Sequence, residues 1–138
     1  MKFYQVNIME NYIKQSGVVP YFFDQNVKRV ILVTAKNDPE RWICPKGHIE
    51  PNMTPQDSAA KEAIEEAGLI GDVENKIIGS LEYSRNGKKY FVEYFPMKVE
   101  KILDEWQEKN FRTRISIEKK FVKRFVIDEK LLGIIDNV

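Results

Sequence analysis

Residues 54–68 carry both a helix start and a helix stop, and neither depends on the residues between them. Thr54 offers the side-chain oxygen of a good N-cap, and Pro55 stands at the first helical position, where its missing N–H costs nothing. Asp57, three residues after the cap, is placed for a capping interaction and for the positive end of the helix dipole. Gly68 supplies the C-terminal stop. A helix over 55–67 is therefore fixed, and the rest of the chain must pack against it. Upstream, Val27-Lys-Arg-Val-Ile-Leu-Val-Thr34 is short and β-branched and reads as a strand buried on both faces. Downstream, 76–84 and 88–99 are rich in Ile, Tyr, Phe and Val, and Arg85-Asn86-Gly87 between them carries a strong hairpin signal.

The remaining segments are coarser. Lys36–Glu40 reads as a polar turn, and Trp42–Asn52 as a loop punctuated by Gly and Pro. Residues 101–110 fit either a helical turn or an insertion. Residues 121–127 read as a further strand, followed by a short amphipathic helix from Asp128 to about Ile135. Strands on both sides of one capped helix imply an α+β sandwich, a mixed sheet with the helix packed on it. With no linker or repeat, residues 1–138 are expected to form one domain.

Charge narrows the partners. Lys and Arg total 22 against 21 acids, a net charge of +1, whereas proteins that coat nucleic acid or anionic membranes are usually far more basic. No stable nucleic-acid partner is expected. Cys44 is the only cysteine, which excludes an internal disulfide and fits a reducing compartment. The N-terminal residues lack an unbroken apolar stretch, and no run approaches the roughly 20 residues needed to cross a bilayer. The expectation is a cytoplasmic protein without a membrane partner; a homodimer is compatible with all of this.

Glu62, Glu65 and Glu66 stand at i, i+3 and i+4 of the helix. At about 100° per residue Glu66 lies about 40° from Glu62 on one side and Glu65 about 60° on the other. Ala60, Ala63, Ile64 and Ala67 form an apolar stripe expected nearly opposite. Such a triplet is either a solvated acidic face or a divalent-cation site, because clustered carboxylates repel unless a cation intervenes. Hard oxygen ligands without His or Cys point to Mg²⁺ or Mn²⁺, whose shell substrate phosphate commonly completes. Just before the helix, Gly47 permits close backbone approach and Lys46 adds positive charge.

The order of glycine loop, capped helix and Glu triplet resembles a known family. Residues 47–69, Gly-x5-Met-x7-Lys-Glu-x-x-Glu-Glu-x-Gly-Leu, are similar to the Nudix box, Gly-x5-Glu-x7-Arg-Glu-U-x-Glu-Glu-x-Gly-U with U apolar. Trp42-x-x-Pro45-Lys46-Gly47-His48-Ile49-Glu50-Pro51 resembles the family's entry to the box. Two positions depart: Met53 stands in place of Glu and Lys61 in place of Arg, a pair that in the family braces the loop against the helix. The resemblance implies a hydrolase of nucleoside diphosphates linked to another group X, using Mg²⁺ or Mn²⁺. Glu62, Glu66 and the Gly47 carbonyl would hold metal, and Glu65 would be general base. A later-loop carboxylate would assist, with Glu105, Glu108 and Glu118 as candidates.

Lys46-Gly47-His48 resembles the branch that hydrolyses diadenosine polyphosphates and diphosphoinositol polyphosphates. A (di)nucleoside polyphosphate such as diadenosine tetraphosphate is the favoured substrate, with 5′-pyrophosphate removal from RNA and diphosphoinositol polyphosphate hydrolysis as rivals. A Nudix-fold module that senses nucleotides without turnover is the alternative of another class. Lys46, His48, Tyr83 and Arg85 are the expected substrate contacts. Arg85, Lys88 and Lys89, and the basic stretch 111–130, suit a polyphosphate or else a solvated basic edge. Tyr83, Tyr90 and Tyr94 suit either a base-stacking role or core packing. His48 either fixes its own turn or contacts substrate. Cys44 reads as a small apolar residue at a strand end.

Overall fold

A computed structural model describes residues 6–7 and 11–138; Met1–Gln5, on which the expectation about a leader rests, lie outside the described residues. The longest early element is β2 (Tyr12–Asp24), to which β1 (Val6–Asn7) adds an antiparallel pair. Gln25 and Asn26, both at positive φ, turn β2 into β3 (Val27–Ala35), the two-residue geometry that matches strand twist. β3 pairs antiparallel with β4 (Asp38–Ile43). Strand β5 (Lys46–His48) pairs antiparallel with β2 and precedes helix α1 (Pro55–Ala67). After β6 (Leu69–Val73), β7 (Gly79–Arg85) and β8 (Lys88–Ile102) form the expected hairpin through Asn86 and Gly87, at φ 52° and 77°. β8 runs parallel to β2, from Tyr12 opposite Lys89 to Tyr21 opposite Lys98. β9 (Arg114–Glu118) joins β3. A 3₁₀ turn, Lys119–Arg124, and helix α2 (Glu129–Ile135) follow. The sheet is mixed and, among the described residues, nine-stranded.

Strand β3 explains the two layers. Ile31 and Val33 face α1 with Val18, Leu69, Phe95 and Met97; Val30 and Leu32 face α2 with Val19, Val92, Tyr94 and Leu131. Period-two alternation sends successive apolar residues into opposite cores, so the strand is buried on both faces as expected. Helix α1 is also capped as expected. The Asp57 N–H donates to Thr54 Oγ1 at 3.1 Å, and Gly68 at φ 64° sits in the left-handed region that glycine tolerates.

Several expectations need correction. Residues 121–127 are not a strand. Val122 and Val126 are buried while Lys123 and Arg124 between them are exposed, a spacing of four that suits a helical turn. The strand lies just upstream, in Arg114–Glu118. The turn after β3 is shorter than expected, because β4 already begins at Asp38, and the loop 42–52 contains β5. The strand expected from residue 76 starts at Gly79; its partner runs on to Ile102, after which 103–113 is built from turns.

The apolar stripe of α1 is also rotated. Ser58, Ala59, Ala63, Glu66 and Ala67 are its buried residues, whereas Ile64 is 43% exposed. Ala59, Ala63 and Ala67 form an i, i+4, i+8 ridge small enough for the helix to sit close on the sheet. The buried face is therefore turned roughly a quarter turn toward the carboxylates. Glu66 thus lies inside the contact instead of on the far side.

Candidate active site

The short strand β5 places the site. Its neighbours alternate, so Gly47 faces α1 while Lys46 and His48 face the opposite side. On the α1 side the fit is tight, because a Cβ at residue 47 would run into the Glu62 carboxyl. Only glycine allows this approach. The Lys46 backbone N–H donates to Glu66 Oε2 at 2.9 Å, tying β5 to the last turn of the helix. Glu66 is 4% exposed. Its other oxygen, Oε1, accepts from Arg112 Nη2 at 2.8 Å.

Burial pushes the Glu66 carboxyl up to about 7, against the pull of Arg112 and of the Lys46 N–H. Glu62 is pushed further, to about 8, by burial and then by the charges of Glu66 and Glu65. Among the described residues no ion pair reaches Glu62. The donor set is all oxygen, and a divalent cation would offset the burial that favours the protonated form of both carboxyls, and at Glu62 the repulsion as well. The residues fit Mg²⁺ or Mn²⁺ in chemistry. As they stand, no three His, Cys, Asp or Glu side chains among the described residues converge tightly enough to hold an ion. The cause is visible: Glu65 is turned to Lys61 at 2.9 Å, and Glu66 to Arg112.

On the opposite side of β5, Lys46 Nζ donates to the Tyr83 hydroxyl at 3.1 Å and lies 4.5 Å from the ring centroid. The Tyr83 O–H in turn donates to Gln15 Oε1 at 2.6 Å. Tyr83 and Tyr90 stack at 4.8 Å, and His48 lies 5.9 Å from Tyr90. A cavity of about 530 Å³ opens beside Lys46, walled by Arg41, Trp42, Tyr83, Phe125 and Asp128. Burial holds the Lys46 ammonium below its ordinary range, with further lowering by Arg41, Arg112 and Arg85.

The pattern of the NUDIX domain matches residues 14–121. This chain belongs to the NUDIX family. It is 31% identical over 87 residues to diphosphoinositol polyphosphate phosphohydrolase 3-beta of Bos taurus, covering 63% of this chain and 52% of that protein. Diphosphoinositol polyphosphate phosphohydrolase 2 of Rattus norvegicus is likewise 31% identical over 87 residues, covering 47% of its length. The chain thus spans about half the length of these curated relatives. In structure it is similar to the Ap4A hydrolase of C. elegans, with a TM-score of 0.73 at 22% identity over 91% of this chain and 95% of that one. A NUDIX-family hydrolase from Clostridium perfringens superposes with a TM-score of 0.71 at 16% identity, over 90% and 94% of the two chains. These likenesses bear out the mixed α+β fold.

Within the NUDIX box the brace has moved. Lys61 Nζ lies 3.2 Å from Glu50 Oε1 as well as 2.9 Å from Glu65 Oε2. Glu50, three residues before Met53, takes the partner role that the family gives to the box Glu. Its own backbone N–H donates to Ser58 Oγ at 3.1 Å, and its carbonyl accepts from the Met53 N–H at 3.2 Å. The loop is thus tied to the helix without the Glu–Arg pair.

Of the later carboxylates, Glu108 alone is near the site: its backbone N–H donates to the Glu65 carbonyl at 3.0 Å, and its Oε1 accepts from Arg112 Nε at 2.8 Å. Glu105 is 85% exposed and pairs with Lys109, and Glu118 belongs to β9 beside Lys120. Arg85 lies two residues from Tyr83 on the same face of β7, at the exposed end of the hairpin. Tyr94 is core, packed against Gly17, and with Tyr83 it lines the cavity beside Lys46, whereas Tyr90 stacks on Tyr83. Cys44 is fully buried, and burial pushes its thiol up, as an inert apolar role requires. The basic stretch 111–130 is split between the site, where Arg112 meets Glu66 at 2.8 Å, and a second place. Lys119, Lys120 and Lys123 gather with Lys28 around a separate cavity of about 670 Å³ at the start of β3. The carboxylates lie by its end, where the Thr34 carbonyl accepts from Arg112. Arg112 itself was missed. Its sequence signals are its place in the basic stretch 111–130 and an acidic triplet with too few nearby cations.

Proposed function

We propose that this chain is a divalent-metal-dependent NUDIX hydrolase that cleaves a phosphoanhydride bond in a nucleoside diphosphate linked to X, with a dinucleoside polyphosphate such as diadenosine tetraphosphate as substrate. The observation that carries the reading is the two-sidedness of β5. One face abuts the buried carboxylates, and the other borders a cavity walled by aromatic rings and cations. Phosphate chemistry and base binding are thereby one strand apart.

In this reading Glu62, Glu66 and the Gly47 carbonyl hold Mg²⁺ or Mn²⁺. When bound, the ion neutralises phosphate charge and acidifies the attacking water. Glu65 accepts the proton from that water, which requires its carboxylate to leave Lys61 or share it. Lys46 and Arg85 meet the phosphate chain, and Tyr83 with His48 lines the approach of the base. A NUDIX unit in a reducing compartment such as the cytoplasm suits Cys44, and residues 1–138 are read as one domain. Among the described residues no helix is long and apolar enough to cross a membrane.

A second reading, diphosphoinositol polyphosphate hydrolysis, is favoured by the relatives that carry that name. The aromatic walls of the cavity favour a substrate with a base, because stacking on Trp42 or Tyr83 does nothing for an inositol ring bearing only phosphates. Phosphate release from diadenosine tetraphosphate, a diphosphoinositol polyphosphate and a 5′-triphosphorylated RNA, each with and without Mg²⁺, tests this. Mg²⁺-dependent turnover of the dinucleotide above the others is expected. Preference for the inositol substrate overturns the substrate assignment, and nucleotide binding without any turnover overturns the enzyme.

A further inference from the structure

We infer that Arg112 is a positioning residue for the metal site, acting through Glu66 and Glu108 and resting on the metal-dependent reading above. Its guanidinium is 8% exposed and uses three edges on three partners: Nη2 to Glu66 at 2.8 Å, Nε to Glu108 at 2.8 Å, and Nη1 to the Thr34 carbonyl at 2.9 Å. A buried guanidinium with three separate donors in use is a fixed point, and a lysine ammonium cannot reproduce its planar fork.

The contacts constrain Glu66 from both ends. Oε1 is held by Arg112 from the segment after β8, and Oε2 by the Lys46 N–H from β5. Each carboxylate oxygen keeps a second lone pair, so the group is oriented without being used up. The same arginine carries Glu108 to the end of α1, where the Glu108 N–H meets the Glu65 carbonyl. Arg114 fastens the flank of this strap: its Nη1 donates to the carbonyls of Ala67 and Leu103, both at 2.8 Å, and its guanidinium lies 4.1 Å over the Trp106 ring. Arg112 therefore sets the carboxylate geometry that a cation meets. It touches neither reacting atom nor cation, so its effect is on metal affinity and not on substrate affinity.

Mn²⁺ binding measured by calorimetry on the parent, Arg112→Lys and Arg112→Met, without substrate, tests the inference. A weakening of about 10-fold for Lys and about 100-fold for Met is expected, the range seen when groups orienting metal ligands are removed. At saturating Mn²⁺, kcat falls and KM for diadenosine tetraphosphate stays at the parent value. Parent-like Mn²⁺ affinity in both variants, with only a lower Tm, overturns the inference. So does a raised KM at saturating Mn²⁺ with unchanged Mn²⁺ affinity, which would place Arg112 on the substrate. If Arg112→Met does not fold, Arg112→Lys decides alone, because it keeps the charge and loses only the fork. A parent that binds no Mn²⁺ overturns the metal-dependent reading itself, whereas a binding parent with indifferent variants overturns only the role of Arg112.

Discussion

Two segments meet at Glu66, and they are held by different means. From Lys46 to Gly68 the chain is fixed by backbone chemistry: a three-residue strand paired with β2, then an N-cap, a helix and a left-handed glycine that act locally. From Leu103 to Thr113 it has no strand or helix, and two arginines and one indole, with backbone bonds to Glu65, Gly68 and Thr34, dock it onto carbonyls and carboxylates. Many small terms spread over a helix tolerate the loss of one; a strap that relies on two cations besides a few backbone bonds tolerates it less. In the proposed reading the first segment supplies the chemistry, and the second sets how accurately it is presented.

The largest expected effect lies where the segments meet. Glu66→Gln and Glu62→Gln should each lower turnover by about 10²-fold or more, since a neutral amide is a poor ligand for a hard cation. Full activity of either at limiting Mg²⁺ would reject the assignment. Their stabilities should differ: Glu62→Gln should raise the metal-free Tm, because among the described residues no ion pair reaches Glu62, while Glu66→Gln should lower it, because the amide offers one acceptor oxygen to two donors, Arg112 and the Lys46 N–H.

Next comes a direct comparison of the fastenings. Arg114→Ala removes two carbonyl bonds and a cation–ring contact and should cost about 2–3 kcal/mol in urea unfolding. Thr54→Ala, removing the cap of α1, should cost about 1 kcal/mol. Equal costs would erase the distinction between the segments.

A smaller effect is expected from pH. Glu62 and Glu66 have folded pKa values of about 8 and 7, above the ordinary carboxylate value of 4.5. Between these limits the folded state binds more protons than the unfolded one, so metal-free stability falls as pH rises from about 4.5 to 8. Denaturation midpoints across that range should show the decline, and Glu62→Gln should flatten it; a rising curve would contradict the buried cluster.

The smallest effect is at the displaced brace. A double-mutant cycle on Glu50→Gln and Lys61→Met should return a coupling of about 0.5 kcal/mol, as for an accessible ion pair. Met53→Glu should add little, because Lys61 already has two carboxylates. A coupling near zero would mean that Glu50 does not brace the loop.

The parts that could be read from the chain are those whose causes are local. Thr54, Pro55 and Gly68 act within one turn of themselves, and Asn86-Gly87 determines its own hairpin. The glycine, the Glu triplet and their spacing similarly point to the candidate site. Strand β2 was hidden because Gly17 and Pro20 interrupt its pattern, and Gly17 answers to the Pro45 carbonyl and the Tyr94 ring, far away in sequence. Residues 121–127 misled because a short apolar run reads equally as strand or helical turn, and only burial of Val122 and Val126 separates the two. The side of α1 that packs was misjudged because Ile64 outweighs alanine in hydrophobicity while Ala59, Ala63 and Ala67 fit the sheet. Arg112 could not be singled out within the basic stretch 111–130, since its three partners come from α1, β3 and its own strap.

Strand β5 has a consequence for how such a protein can change. Its three residues alternate between two surroundings, so a one-residue insertion or deletion between Pro45 and His48 exchanges the two. A lysine or histidine side chain would then be driven into the Glu62 carboxyl, and glycine would face the aromatic cavity with nothing to offer. Substitutions at 46 or 48 leave that parity intact. Diversification at this strand is therefore confined to swapping letters, never to altering their number, while the exposed turn at Asn86-Gly87 is under no such arithmetic.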